Sequence, residues 1–154
     1  MLVSLKKSLE LPVPQETVWA LIRDIEQLGR LVPGVVDLQV KEVEGEEVYV
    51  TRVLDKVGPF QLEMTVEIRI VEAIEPKLLD AQLSGFDRGR KNRLQGNLRV
   101  ELAPVETGQT RVDFLTNIEV LGKLASLGAS PIRRRTDQHF SEFARRVEQC
   151  LVAG

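Results

Sequence analysis

The stretch from Leu62 to Ile70 restricts the possible folds more than any other. Leu62, Met64, Val66, Ile68 and Ile70 alternate with Glu63, Thr65, Glu67 and Arg69. A period of two sends one face of a strand into a core and the other into water. Such a strand cannot bury its apolar face alone, so another layer has to cover it. The sequence supplies a cover near its other end. Ile132, Thr136, Phe140, Phe143, Val147 and Leu151 recur every three or four residues. That is the apolar stripe of a helix of about twenty residues, roughly 30 Å long. Its other faces carry Arg133, Arg134, Glu142, Arg145 and Glu148.

The remaining periodicities fill in the layers. Val3, Leu5, Lys7, Leu9 and Leu11 share one parity, and Pro12 and Pro14 end that run. Pro14 precedes a helical segment whose Val18, Leu21, Ile22 and Ile25 share a face, and Glu16 suits its N-terminal dipole. Asp24 to Leu31 reads as a second short helix, halted by Pro33-Gly34. Val36, Leu38 and Val40 then restore the period of two, whereas Val48 to Leu54 is apolar on both parities and leaves its inward face open. Three more alternating runs follow: Leu79 to Leu83, Leu94 to Leu102, and Val112 to Val120. Seven strands joined by short turns predict an antiparallel meander. Leu121, Leu124 and Leu127 mark a short helical segment, and Ser130-Pro131 reads as an N-cap followed by a first-turn proline. The expected fold class is α+β: a curved seven-stranded antiparallel sheet wrapped around a long C-terminal helix, with two short helices after strand 1, forming one domain over residues 1–154.

Composition excludes several functions. The net charge of −2 leaves no general basic footprint for nucleic acid. No run approaches the roughly 18 apolar residues of a membrane span, and Lys6-Lys7 interrupt the N-terminal segment before a signal-peptide core can form. Cys150 is the only cysteine, so no internal disulfide can form and a reducing compartment is expected. The expected location is the cytoplasm, with a peripheral position at the inner membrane face as an option. There is no Gly-x-Ser-x-Gly elbow and no phosphate loop. His139 is the only histidine and lies eleven residues from Cys150, which makes a poor zinc pair. Most carboxylates fall on the polar parity or in turns, with Asp55, Asp87 and Asp113 the ones to inspect. The expectation is no metal, no cofactor and no catalytic constellation.

Five short signatures occur in a fixed order: Glu10-Leu-Pro-Val-Pro-Gln-Glu-Thr-Val-Trp, Leu31-Val-Pro-Gly, Val57-Gly-Pro-Phe, Gly96-Asn-Leu-Arg-Val and Gly122-Lys-Leu-Ala-Ser-Leu-Gly. The first resembles the helix-grip (SRPBCC) superfamily of START-like and polyketide-cyclase-like proteins. The other four resemble the carbon monoxide dehydrogenase G-subunit family, and the likeness runs from about residue 3 to 150. One departure is the basic stretch Asp87 to Arg93, where that family usually has a glycine-rich loop. The resemblance implies an internal cavity for an apolar molecule and a link to carbon monoxide dehydrogenase or a related molybdenum hydroxylase.

With that fold, the expected cavity lining is Trp19, Met64, Val66, Ile68, Leu83, Leu98, Phe114, Thr136, His139, Phe140 and Phe143. Each has an ordinary reading as well. The aromatics and Met64 are also good core residues, and Thr136 can bond back to the preceding turn. His139 can be a partly buried histidine with a neighbouring partner rather than a contact for a guest's head group. Arg88, Arg90, Lys91 and Arg93 form a surface patch that is either simply solvated or meets anionic lipid head groups or an acidic partner. The function expected is binding of a hydrophobic small molecule, lipid or quinone-like, in support of a redox enzyme. The alternatives are a cyclase or hydrolase of the same fold and an interaction protein with a filled core. A cavity would tell the binder from the filled core, and a buried ionisable pair inside it would favour the enzyme.

Overall fold

The computed structural model describes residues 1–152. Strand β1 (Leu2–Leu11) leads into helices α1 (Gln15–Arg23) and α2 (Ile25–Arg30). Six strands follow: β2 (Val35–Val43), β3 (Glu46–Val57), β4 (Phe60–Ile74), β5 (Leu78–Asp87), β6 (Asn92–Pro104) and β7 (Thr110–Gly122). A 3-10 segment (Lys123–Leu127) then connects to α3 (Ala129–Val152). All seven strands form one antiparallel sheet in the order β1-β7-β6-β5-β4-β3-β2.

The meander holds from β2 to β7, but β1 is not beside β2. It pairs with β7, from Leu2↔Glu119 to Leu11↔Thr110, so β1 and β2 are the two edges. Helices α1 and α2 carry the chain from one edge to the other. The Pro12 to Pro14 linker is fastened by Thr110, fully buried, whose hydroxyl donates to the Val13 carbonyl at 2.8 Å. At the start of α1, the Gln15 amide donates to the Pro76 carbonyl at 3.0 Å. At its end, Arg23 forms a two-pronged ion pair with Glu47 (2.7 and 2.6 Å), and Tyr49 donates to the same carboxylate at 2.7 Å.

The register settles the inward face of β3. Tyr49, Thr51 and Val53 pair with Ile68, Val66 and Met64, and therefore point inward with them. Asp55 continues that parity opposite Leu62. Helix α3 starts two residues earlier than the sequence implies, at Ala129 rather than Pro131. Ser130 lies inside its first turn rather than capping it, and Pro131 sits where a missing N–H costs no helical hydrogen bond.

Two packed clusters lie between helix and sheet. The larger holds α1 (Val18, Trp19, Leu21, Ile22), Tyr49, Leu79, Val100, Val112, Phe143 and Val147. The smaller, beside the 3-10 segment, holds Val3, Val57, Leu62, Met64, Val120 and Leu124. Two signature glycines are explained by close backbone approach. A Cβ at Gly96 would overlap the Asn117 carbonyl oxygen on the adjoining strand. Gly122 has a φ of 101°, and a Cβ there would overlap the Lys91 carbonyl oxygen.

This packing has two measurable consequences. Gly96→Ala should destabilise the protein by about 2–3 kcal/mol, as overpacking does, read as a lowered midpoint in chemical denaturation. The second concerns acid. Arg23 holds the Glu47 carboxyl below the ordinary carboxylate range, helped by the Tyr49 hydroxyl, while burial first and Glu47 second push Tyr49 up to about 12. A folded carboxyl with a lowered pKa adds stability above its unfolded pKa, and that stability is lost as pH falls through the folded value. Both Glu47 and Arg23 side chains are about one-third exposed, so Glu47→Gln should cost only about 1 kcal/mol at pH 7. The variant should lose less stability than the parent between roughly pH 5 and 3, measured by urea unfolding across that range.

Candidate ligand cavity

Between α3 and the concave face of the sheet, the two clusters leave a cavity of about 350 Å³. Its floor comes from Ile68 and Ile70 on β4, Leu79, Ala81 and Leu83 on β5, Leu98 and Val100 on β6, and Phe114, Thr116 and Ile118 on β7. Leu5 and Lys7 on β1 close one side. Ile25, Leu28, Gly29, Val32, Pro33 and Leu38 close the other. The roof is Thr136, His139, Phe140 and Phe143, one face of α3. Phe114 makes edge-on contacts with Phe140 and Phe143, with centroids 5.6 and 5.8 Å apart, so the aromatic wall is fixed.

Eight of the residues singled out from the sequence lie on this lining: Ile68, Leu83, Leu98, Phe114, Thr136, His139, Phe140 and Phe143. Three lie away from it. Trp19 is buried in the larger cluster with α1. Met64 belongs to the smaller cluster and Val66 packs against it, where Leu124, Leu127 and Ile132 plug that end of the concave face. The expectation that Trp19, Met64 and Val66 line the cavity is therefore corrected. Arg88, Arg90, Lys91 and Arg93 contribute nothing to the lining either. They belong to the β5–β6 turn and the start of β6, where Asp87 accepts from the Asn92 backbone and side-chain amides, each at 2.8 Å.

Polar groups gather at the rim. Asp55, on the inward parity of β3, accepts from Arg135 Nε at 2.8 Å, and His139 Nε2 lies 3.3 Å from the same carboxylate oxygen. Across the cavity, Lys7 pairs with Asp137. Helix α3 is thus clipped to β3 on one side and to β1 on the other. The Thr136 hydroxyl donates to the Ile132 carbonyl at 2.9 Å, its ordinary helical use. The Thr116 hydroxyl has no hydrogen-bond partner among the described residues. Lys7, Thr116 and His139 therefore form the polar edge of an otherwise apolar chamber. Sequence reasoning missed Lys7 and Thr116, although both break an apolar parity, Lys7 between Leu5 and Leu9, and Thr116 between Phe114 and Ile118. That interruption was the available signal. Among the described residues, no group of three or more His, Cys, Asp or Glu side chains could hold a metal ion, and no helix is long and apolar enough to cross a membrane.

A curved antiparallel sheet gripping a long C-terminal helix over an internal chamber defines a START-like, helix-grip protein. The sequence matches the carbon monoxide dehydrogenase G-subunit (CoxG) family over residues 8–152, and the chain belongs to that family. Solved structures share the fold. A conserved protein from Geobacillus kaustophilus is similar at 18% identity and a TM-score of 0.86, covering 98% of this chain and 96% of that one. A START superfamily protein from Mycobacterium smegmatis is similar at 13% identity and a TM-score of 0.70, with 96% of each chain covered. The Zhui aromatase/cyclase from Streptomyces sp. R1128 is similar at 10% identity and 0.70, over 100% of this chain and 99% of that one. At such identities the likeness speaks to fold alone. A search of curated proteins by sequence finds no match.

If Asp55 and Lys7 clip α3 to the sheet, removing both clips should loosen it. The double change Asp55→Asn and Lys7→Met should accelerate amide exchange in the first half of α3 while strands β5 to β7 keep their protection. Unchanged exchange in the helix would show that apolar packing alone holds it.

Proposed function

We propose that this protein binds one hydrophobic small molecule, lipid or quinone-like, in the chamber beneath α3, as an accessory of carbon monoxide dehydrogenase or a related molybdenum hydroxylase. The observation that carries the reading is the chamber, about 350 Å³ and almost wholly apolar apart from a polar edge at Lys7, Thr116 and His139. Its volume falls in the usual range for small-molecule sites. Apolar area removed from water would supply affinity at roughly 25 cal/mol per Å². A carbonyl, hydroxyl or carboxylate head group would accept from Lys7 or Thr116 and so fix the guest's direction. The family supports the link to a redox enzyme, and the volume speaks against an interaction protein with a filled core.

The enzyme alternative has one observation in its favour, the His139–Asp55 contact at the rim. Asp55 is already paired with Arg135, and the Thr136 hydroxyl one turn from His139 donates to the Ile132 carbonyl, so the His139–Asp55 pair serves better as a clip than as an acid–base dyad. If a turnover of the cyclase or hydrolase type were found and His139→Ala abolished it, the binding-only reading would be wrong.

Native mass spectrometry of the purified protein should show a co-purified apolar guest. Ala81, buried on the chamber floor, offers the control. Ala81→Leu fills space where a guest would lie, so it should weaken binding at least roughly tenfold while leaving thermal stability equal or higher, because it occupies a void rather than packed core. Full binding in the Ala81→Leu protein would place the guest elsewhere.

A further inference from the structure

Strand β2 ends the sheet, with β3 on one side and no strand on the other. The β2–β3 turn fixes which of its backbone groups are left over. Glu44 and Gly45 both have positive φ, 50° and 79°, as a two-residue hairpin turn requires. Such a turn closes on a hydrogen-bonded pair, here Val43 and Glu46. Bonded and non-bonded pairs then alternate along the ladder. Lys41, Gln39 and Asp37 therefore bond to β3, and the Thr51 hydroxyl donates to the Asp37 carbonyl from that side at 2.7 Å. Glu42, Val40 and Leu38 turn their N–H and C=O groups to the free edge, where no backbone partner meets them among the described residues.

A free edge of this kind is a template for another strand, and it is ordinarily guarded by charge. Lys41 is the cation placed here, between Val40, which is 52% exposed, and Glu42. It forms no salt bridge among the described residues. Nearby on the outer face, Arg52 Nε donates to Asp37 at 2.7 Å and its Nη1 reaches Glu63 at 3.4 Å. Two carboxylates share one guanidinium, so that cluster has a surplus negative charge.

The edge is complementary to itself in one register. Placed antiparallel to a second copy about a two-fold axis at Gln39, it sets Gln39 against Gln39, Leu38 against Val40 and Asp37 against Lys41. Symmetry makes the last two pairs occur twice. Leu38 and Val40, opposite the inward Thr51 and Tyr49, meet on the inner face, and their free N–H and C=O groups face one another. Asp37 and Lys41 meet on the outer face, where the second copy's lysine would cancel the surplus charge. A slip of two residues either way sets Asp37 against Gln39 or Val43, and Lys41 against Val35 or Gln39, and loses both ion pairs. Leu38 also lines the chamber, so Val40 of the second copy would buttress that wall.

We propose that β2 is a self-association edge, through which two copies join their sheets antiparallel about Gln39. The pairing assumes nothing about what the chamber holds. One strand pair is a small interface, so dimerisation is expected at roughly 1–500 μM. Sedimentation equilibrium of the full chain over that range should show the mass rising from one chain towards two. Val40→Pro removes an edge N–H without touching the β2–β3 ladder. It should weaken dimerisation at least roughly tenfold with thermal unfolding nearly unchanged. Lys41→Glu, which turns two attractions into repulsions, should weaken it at least roughly fivefold. In a Cys150→Ser background, Gln39→Cys should cross-link to its own copy under mild oxidation. Facing residues of such a pair have Cα atoms about 4.5 Å apart, within disulfide reach. Lys41→Cys should not cross-link, because its two copies stand roughly 13 Å apart along the strands. Should Val40→Pro fold poorly, Lys41→Glu and the two cysteine variants carry the test without it. A single-chain mass throughout the range would overturn the proposal. So would a dimer indifferent to both β2 substitutions, or equal cross-linking at positions 39 and 41.

Discussion

Everything in this molecule depends on the mutual burial of the α3 stripe and the concave face of the sheet. At its two ends the concave face also meets α1 and the 3-10 segment. The helix is polar on its remaining faces, and the sheet turns a charged outer face to water, with Arg99 paired to Asp80 and Arg52 to Asp37. Helix α3 is nonetheless not simply pressed into the sheet. Phe143 and Val147 are its buried residues, seated in the larger cluster. Ile132 packs against the smaller one. Between these anchors the roof residues Thr136, His139 and Phe140 stand over empty space. The chamber exists because the helix is held at two packed ends and bridged in the middle.

Much of this was legible in the sequence, because alternation and helical periodicity report which side of an element is dry. They give the strands, the grip and the aromatic roof. They do not say where along an inward face the packing is complete. Met64, Val66, Ile68 and Ile70 share one parity on one strand, yet the first two are sealed by Leu124, Leu127 and Ile132 while the last two look into the chamber. That division depends on how far the 3-10 segment reaches, a distance the chain does not write locally. Trp19 failed as a cavity residue for a similar reason: α1 buries it in the larger cluster, not on the chamber wall.

The polar residues show the complementary limit. Lys7 and Thr116 look like interruptions in apolar runs until the register brings their strands together, with Leu5 opposite Thr116 and Lys7 opposite Phe114. Asp55 looks like one more strand carboxylate until β3 is seen to turn it inward towards Arg135 and His139. In each case the informative quantity is a residue's parity combined with a partner far along the chain.

The chamber also constrains the energetics. At about 24 cal/mol per Å³, a dry void of this volume would cost on the order of 8 kcal/mol, which is comparable with the whole stability of a typical domain. The chamber of about 350 Å³ is open along its rim and is not a sealed void, so that full cost does not fall on the fold. The chamber still has to hold water, close partly, or hold a guest. Water finds few partners beyond Lys7, Thr116 and His139, and the crossed Phe114, Phe140 and Phe143 rings resist collapse. Occupation by an apolar molecule relieves the cost most fully, and anything that binds only the folded state stabilises it by mass action. The polar clips from Asp55 and Lys7 then acquire a physical role. If a guest is bound, they would hold α3 over the opening from outside the apolar lining, so that loading need not dismantle the fold that creates the site.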